Sequence, residues 1–127
     1  MAISDDLPGV EVAIRMNRAD LAEYRDNDLE EDERTTTRFV EAQSGQTFEI
    51  RAKVKNWFRF FGDTLAFEIS VDGVWIDTPL IDRGSGRFRG HQRIIPGVTD
   101  SEGRLRKLQF TSLATGQSTP FSALSRR

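Results

Sequence analysis

Four arginines in eleven residues, Arg83, Arg87, Arg89 and Arg93 in the run RGSGRFRGHQR, form the most telling charged stretch in the sequence. Arginine with glycine spacers and an interleaved aromatic, here Phe88, is chemistry for holding phosphates and stacking on bases. Phosphate neutralisation supplies most nucleic-acid affinity, and a sequence pI near 5.4 keeps the expectation at weak single-strand binding. The same stretch carries His91, the only histidine. A Ser/His/Asp triad would have to use it, yet its neighbours are arginines, and no acid beside it would orient the ring. No catalytic residue is assigned.

A second group is aromatic. Trp57, Phe58, Phe60 and Phe61 fall within the six residues NWFRFF. Four rings in so short a segment do not all fit inside, and exposed aromatic patches mark interfaces. Trp75 joins them as a residue type favoured at binding hot spots. These five are the candidate partner-binding residues. If they serve association, Trp57→Ala and Phe58→Ala weaken it more than they lower the melting temperature.

Carboxylates are plentiful but do not converge. Glu68 and Asp77 are expected opposite one another across a hairpin, compensated by Arg51, Lys53 and Lys55 in a cross-strand charge lattice. The run DNDLEEDE lacks the glycine and the ligand alternation of a calcium loop. With no cysteine, disulfides, thiol catalysis and cysteine zinc sites are excluded. No phosphate loop, dinucleotide fingerprint or nucleophile motif is present. The expectation is a chain without metal, cofactor or catalysis.

The elements that position these residues follow from a period of two. Leu65, Phe67, Ile69 and Val71 alternate with Ala66, Glu68 and Ser70, Asp72 and Gly73 interrupt, and Val74, Trp75 and Ile76 resume. This predicts a hairpin with a type I′ turn, pairing Val71 with Val74, Ser70 with Trp75 and Ile69 with Ile76. Its greasy face is Phe67, Ile69, Val71, Val74 and Ile76, and Pro79 places the return at an edge. Strands are also predicted over 10–16, over 36–42, from Phe48 through Val54, over 91–95 up to the stop at Pro96 and Gly97, and over 105–113 with Leu108 and Phe110 inward. A turn falls at 100–103. Residues 20–24 start a short helix, with Asp20 as cap.

The sequence of 127 residues, 37% hydrophobic and 30% charged, has room for one core. Nine phenylalanines against two tryptophans and one tyrosine make much of that core aromatic. The short strands punctuated by Gly and Pro predict an all-β, antiparallel β-sandwich, jelly-roll-like or immunoglobulin-like, as one domain over 1–127. A long acidic connection over 18–35 stays mobile, and the tail over 114–127 is weakly structured. Net charge is −2, but it is segregated: eight acids face three arginines over 18–34, and seven basic residues face two acids over 83–107. No apolar run matches a membrane span and the N-terminus is not a signal peptide. An intracellular, cytoplasmic or nuclear protein is expected, bound to a protein partner or to itself as a homo-oligomer, and not to a membrane.

The segments PGVEV, RFVEAQSGQTFEIRAKV, DTLAFEISVDGVWIDTPLI and EGRLRKLQFTSLAT, in that order, resemble a fungal family known only as a domain of unknown function. The VDG hairpin block is the most specific part. The resemblance implies a β-rich N-terminal globular unit, often followed by a charged extension of low complexity. The chain ends at Arg127 without one and is read as a short or shortened member. No site residue is carried over.

Overall fold

The computed structural model describes residues 7–26, 28, 35–111 and 118–122. Every regular element among them is a strand and every pairing is antiparallel. In chain order they are β1 (Val10–Met16), β2 (Ala19–Asp20), β3 (Glu23–Tyr24), β4 (Thr37–Glu41), β5 (Thr47–Val54), β6 (Thr64–Ala66), β7 (Ile69–Val71), β8 (Val74–Asp77), β9 (Leu80–Asp82), β10 (His91–Ile95), β11 (Gly97–Thr99), β12 (Leu105–Gln109) and β13 (Ser118–Ser122).

The main sheet runs β11-β12-β5-β1-β2, with β10 also on β5. One edge of β5 takes β1. The other is shared, Thr47 and Phe48 pairing with β12 and residues 50–54 with β10. The β1–β5 register sets Val10, Val12 and Ile14 against Val54, Ala52 and Ile50 on one face. The other face sets Glu11, Ala13 and Arg15 against Lys53, Arg51 and Glu49. Both faces of β1 are covered, for Glu11 and Ala13 are as buried as Val12.

Buried charge must be paired, and it is. The Arg51 guanidinium donates to both carboxylate oxygens of Asp20, at 3.2 and 2.8 Å. Lys55 Nζ lies 3.0 Å from Glu11 Oε1. Ala13, opposite Arg51 and fully buried, is the small residue over which the arginine reaches β2.

That geometry corrects the expected helix at 20–24. Asn17 and Arg18 adopt positive φ of 54° and 65°, the requirement of a two-residue I′ turn. They fold β2 back on β1, Met16 opposite Ala19 and Arg15 opposite Asp20. The turn carries no glycine, so its signal in sequence is weak. Of the connection over 18–35, residues 18–26 thus include two strands, and residues 27 and 29–34 lie outside the described residues. The tail over 114–127 holds β13, which pairs with β4 in the sheet β13-β4-β3; residues 114–117 and 123–127 lie outside.

The central hairpin forms but is bent. Asp72 and Gly73 have φ of 52° and 78°, and Val71 pairs with Val74 and Ser70 with Trp75. A bulge between Ile69 and Ser70 then moves Asp77, not Ile76, opposite Ile69. The strand breaks at Phe67 and Glu68, where the Phe67 N–H donates to the Pro79 carbonyl at 3.0 Å. Below the break, β6 pairs with β9; above it, β7 pairs with β8. The expected Glu68–Asp77 pair is therefore absent, and its expected compensators Arg51 and Lys55 pair with Asp20 and Glu11. Nor does the greasy face hold: Phe67 and Ile69 are buried, whereas Val74 is exposed.

The core joins β1 and β5 to Val40 of β4, Leu65 and Ile81 of the bent hairpin, Ile95 and Leu108. Phe110 stacks on Phe48 at 4.4 Å between centroids. Pro96 does not end the pairing, because its carbonyl accepts from Leu108 N–H at 3.0 Å and Gly97 opens β11. A Cβ at Gly97 would sit 1.9 Å from the Arg106 carbonyl oxygen, so β11 and β12 approach closely only with glycine there.

Candidate functional site

The segment after β5 sorts its aromatics by a tight turn. Lys55 N–H donates to the Gly9 carbonyl at 2.8 Å, and Phe58 N–H donates to the Lys55 carbonyl at 3.0 Å. The turn sends Phe58 into the core, 8% exposed, and leaves Trp57 57% exposed with its ring against Gly9. Phe60 is half-buried, edge-on to Phe58 at 5.0 Å and to Phe88 at 4.9 Å. Phe61 is 83% exposed. The five candidate residues thus divide: Phe58 and Phe60 fasten the loop to the core, and Trp57, Phe61 and Trp75 face solvent. With Phe58 in the core, Phe58→Ala should lower stability, whereas the ranking from sequence puts its larger effect on association.

Trp75 lies on β8, one residue beyond Val74, and both are exposed. Its indole N–H donates to Thr78 Oγ1 at 2.7 Å. Adjacent strand residues point to opposite sides, so solvent reaches both faces of the β7–β8 tip. Among the described elements the tip touches β11.

The arginine loop leads from β9 to β10. Arg83 N–H donates to the Asp63 carbonyl at 2.7 Å, and Phe88 anchors it through Phe60. Arg87, Arg89 and Arg93 are exposed. Together with Arg83 and Lys53 they make no ion pair among the described residues. An open groove of about 470 Å³ runs where β5 ends and β10 begins, lined by Lys53, Lys55, Asn56, Arg89, His91 and Gln92 among others. Its lining holds no carboxylate. Elsewhere, Arg104 pairs with Glu102 and Arg106 with Asp100, so the cations at the β11–β12 turn are partly neutralised.

A family model described as Domain of unknown function (DUF7918) matches residues 9–127. The chain belongs to this family. The DUF7918 match begins at Gly9, the residue under Trp57, and takes in both the aromatic tip and the basic groove. No curated protein and no solved structure matches the chain.

Among the described residues of this DUF7918 chain, no three His, Asp or Glu side chains gather as metal ligands, and no helix is long and apolar enough to cross a membrane. Lys53, Lys55 and the free edge of β10 are the functional candidates that sequence reading missed. The signal was available: Lys53 and Gln92 each lie on the solvent-facing phase of a period-two strand, and pairing β5 with β10 sets them opposite one another.

Proposed function

We propose that this DUF7918 chain is a non-enzymatic binding module that associates with protein, either a partner or a second copy of itself. The observation that carries this reading is the β7–β8 tip, where Val74 and Trp75 are 64% and 61% exposed. Burying such side chains is worth about 1.5–3 kcal/mol each, and here that burial is left for a partner to supply. Trp57 and Phe61 extend the exposed apolar set. Among the described residues, no three His, Asp or Glu side chains converge to compete with a binding role. In the same reading, the main sheet and the smaller sheets over the shared core are two layers of a β-sandwich forming one domain. The cysteine-free composition goes with a reducing, intracellular location, and the VDG hairpin and a fungal source belong to the family resemblance.

Analytical ultracentrifugation with crosslinking tests this. Self-association, or a complex crosslinked at Trp75 or Trp57, is expected, lost in Trp75→Ala at unchanged melting temperature. A monomer at every concentration, without crosslinks at 57–61 or 74–75, overturns it.

A further inference from the structure

We infer that the open edge of β10, with the basic groove at its N-terminal end, takes an extended acidic peptide as an added antiparallel or parallel strand. This site is separate from the aromatic tip and does not rest on the reading above. β10 pairs with β5 along one side only. On its other side, no backbone hydrogen bond from residues 91–95 reaches any described residue. An unpaired edge is a template for another strand, with main-chain bonds giving affinity and side-chain pockets giving selectivity.

The side chains determine which strand is accepted. His91, Gln92 and Arg93 are exposed on β10, Arg89 precedes it, and Lys53 stands opposite Gln92. Positive charge along an edge repels a second basic edge, which is the ordinary protective device. It is also an attraction for acids, and Lys53, Arg89 and Arg93 form no ion pair among the described residues. A strand repeats its side chains on one face at every second residue. Arg93 shares its face with His91, and Lys53 lies with Gln92 on the other, so Glu or Asp at alternate residues meets Arg93 on its face while the backbone zips to β10.

Single-stranded nucleic acid is the rival occupant at Arg83, Arg87, Phe88, Arg89 and Arg93. It needs an aromatic face for the bases, and Phe88 is turned edge-on into Phe60 at 4.9 Å. The loop offers cations without a stacking platform, which favours the peptide.

Fluorescence anisotropy on the full chain separates the two. The probes are a short peptide alternating Glu and Thr, the same peptide N-methylated at alternate residues, and an oligothymidylate of equal net charge. The plain peptide should bind, and the double variant Arg89→Glu/Arg93→Glu should weaken it by about tenfold or more. N-methylation keeps the charge and removes backbone donors, so it should weaken binding by a similar factor. Lys53→Glu, at an exposed position, gives a second variant should the first fail to fold by circular dichroism. Equal binding of the methylated peptide, tighter binding of the oligothymidylate, or no binding of the plain peptide each overturns the proposal.

Discussion

The β1–β5 pair and the β7–β8 tip carry the same period-two pattern, and they end in opposite environments. β1 has neighbours on both edges and cover on both faces, so even its off-phase residues Glu11 and Ala13 are buried. β7 and β8 pair only with each other, and the on-phase Val74 is exposed. Alternation in sequence therefore states that a strand is two-sided. Neighbouring strands decide whether either side is inside.

The contrast can be broken most strongly where the bent hairpin enters the core. Phe67→Ala removes one of the largest fully buried side chains and should cost about 3–5 kcal/mol, read by urea denaturation. A loss no greater than that of a tip variant would erase the distinction between the two regions. Next comes the covered charged face. Asp20→Ala leaves the Arg51 guanidinium, 8% exposed, without its carboxylate. Breaking a buried pair costs about 3–5 kcal/mol, but Asp20 is 38% exposed, which lowers the expectation to about 2 kcal/mol. Molar salt should hardly change this pair's coupling in a double-mutant cycle, and strong screening would place it at the surface.

A smaller and local effect is expected at the turn. Gly73 has φ of 78°, and Gly73→Ala should cost about 1–2 kcal/mol, with faster hydrogen exchange confined to β7 and β8. Exchange spreading into β1 and β5 would mean that tip and sheet open as one unit. Smallest is Trp75→Ala, which should change stability by no more than about 0.5 kcal/mol while carrying the loss of association proposed above.

Sequence pattern located β1, β4, β5, β10 and β12 and the inward side chains of Leu108 and Phe110, because each rests on local alternation. It also located the Asp72–Gly73 turn, whose glycine advertises positive φ. What it missed depends on partners distant in sequence or on signals without glycine. Asn17 and Arg18 make their I′ turn with ordinary side chains, so the sequence suggests a helix start where β2 forms. The bulge after Ile69 shifts register without altering composition. Pro96 reads as a stop, yet its carbonyl still serves Leu108. At the candidate site, sequence groups Trp57, Phe58, Phe60, Phe61 and Trp75 as one set. Trp57, Phe61 and Trp75 are exposed, but Phe58 is not separable from Trp57 without the turn at Lys55 that sets them on opposite sides. The cations of the arginine run were legible. Their arrangement along an edge of β10 was not, because it requires knowing that β5 is the neighbour.

β5 binds three separate strands, one of them earlier in the chain and two later, and this sets the tempo at which the molecule can assemble. The main sheet cannot be completed by local zipping, since β1 waits for residues more than a whole connection away and β10 and β12 must each return to the same strand. Chains dominated by such distant pairings pass their rate-limiting barrier slowly, so refolding should be a patient process whose bottleneck is the docking of β5, with the β7–β8 arm closing early and independently.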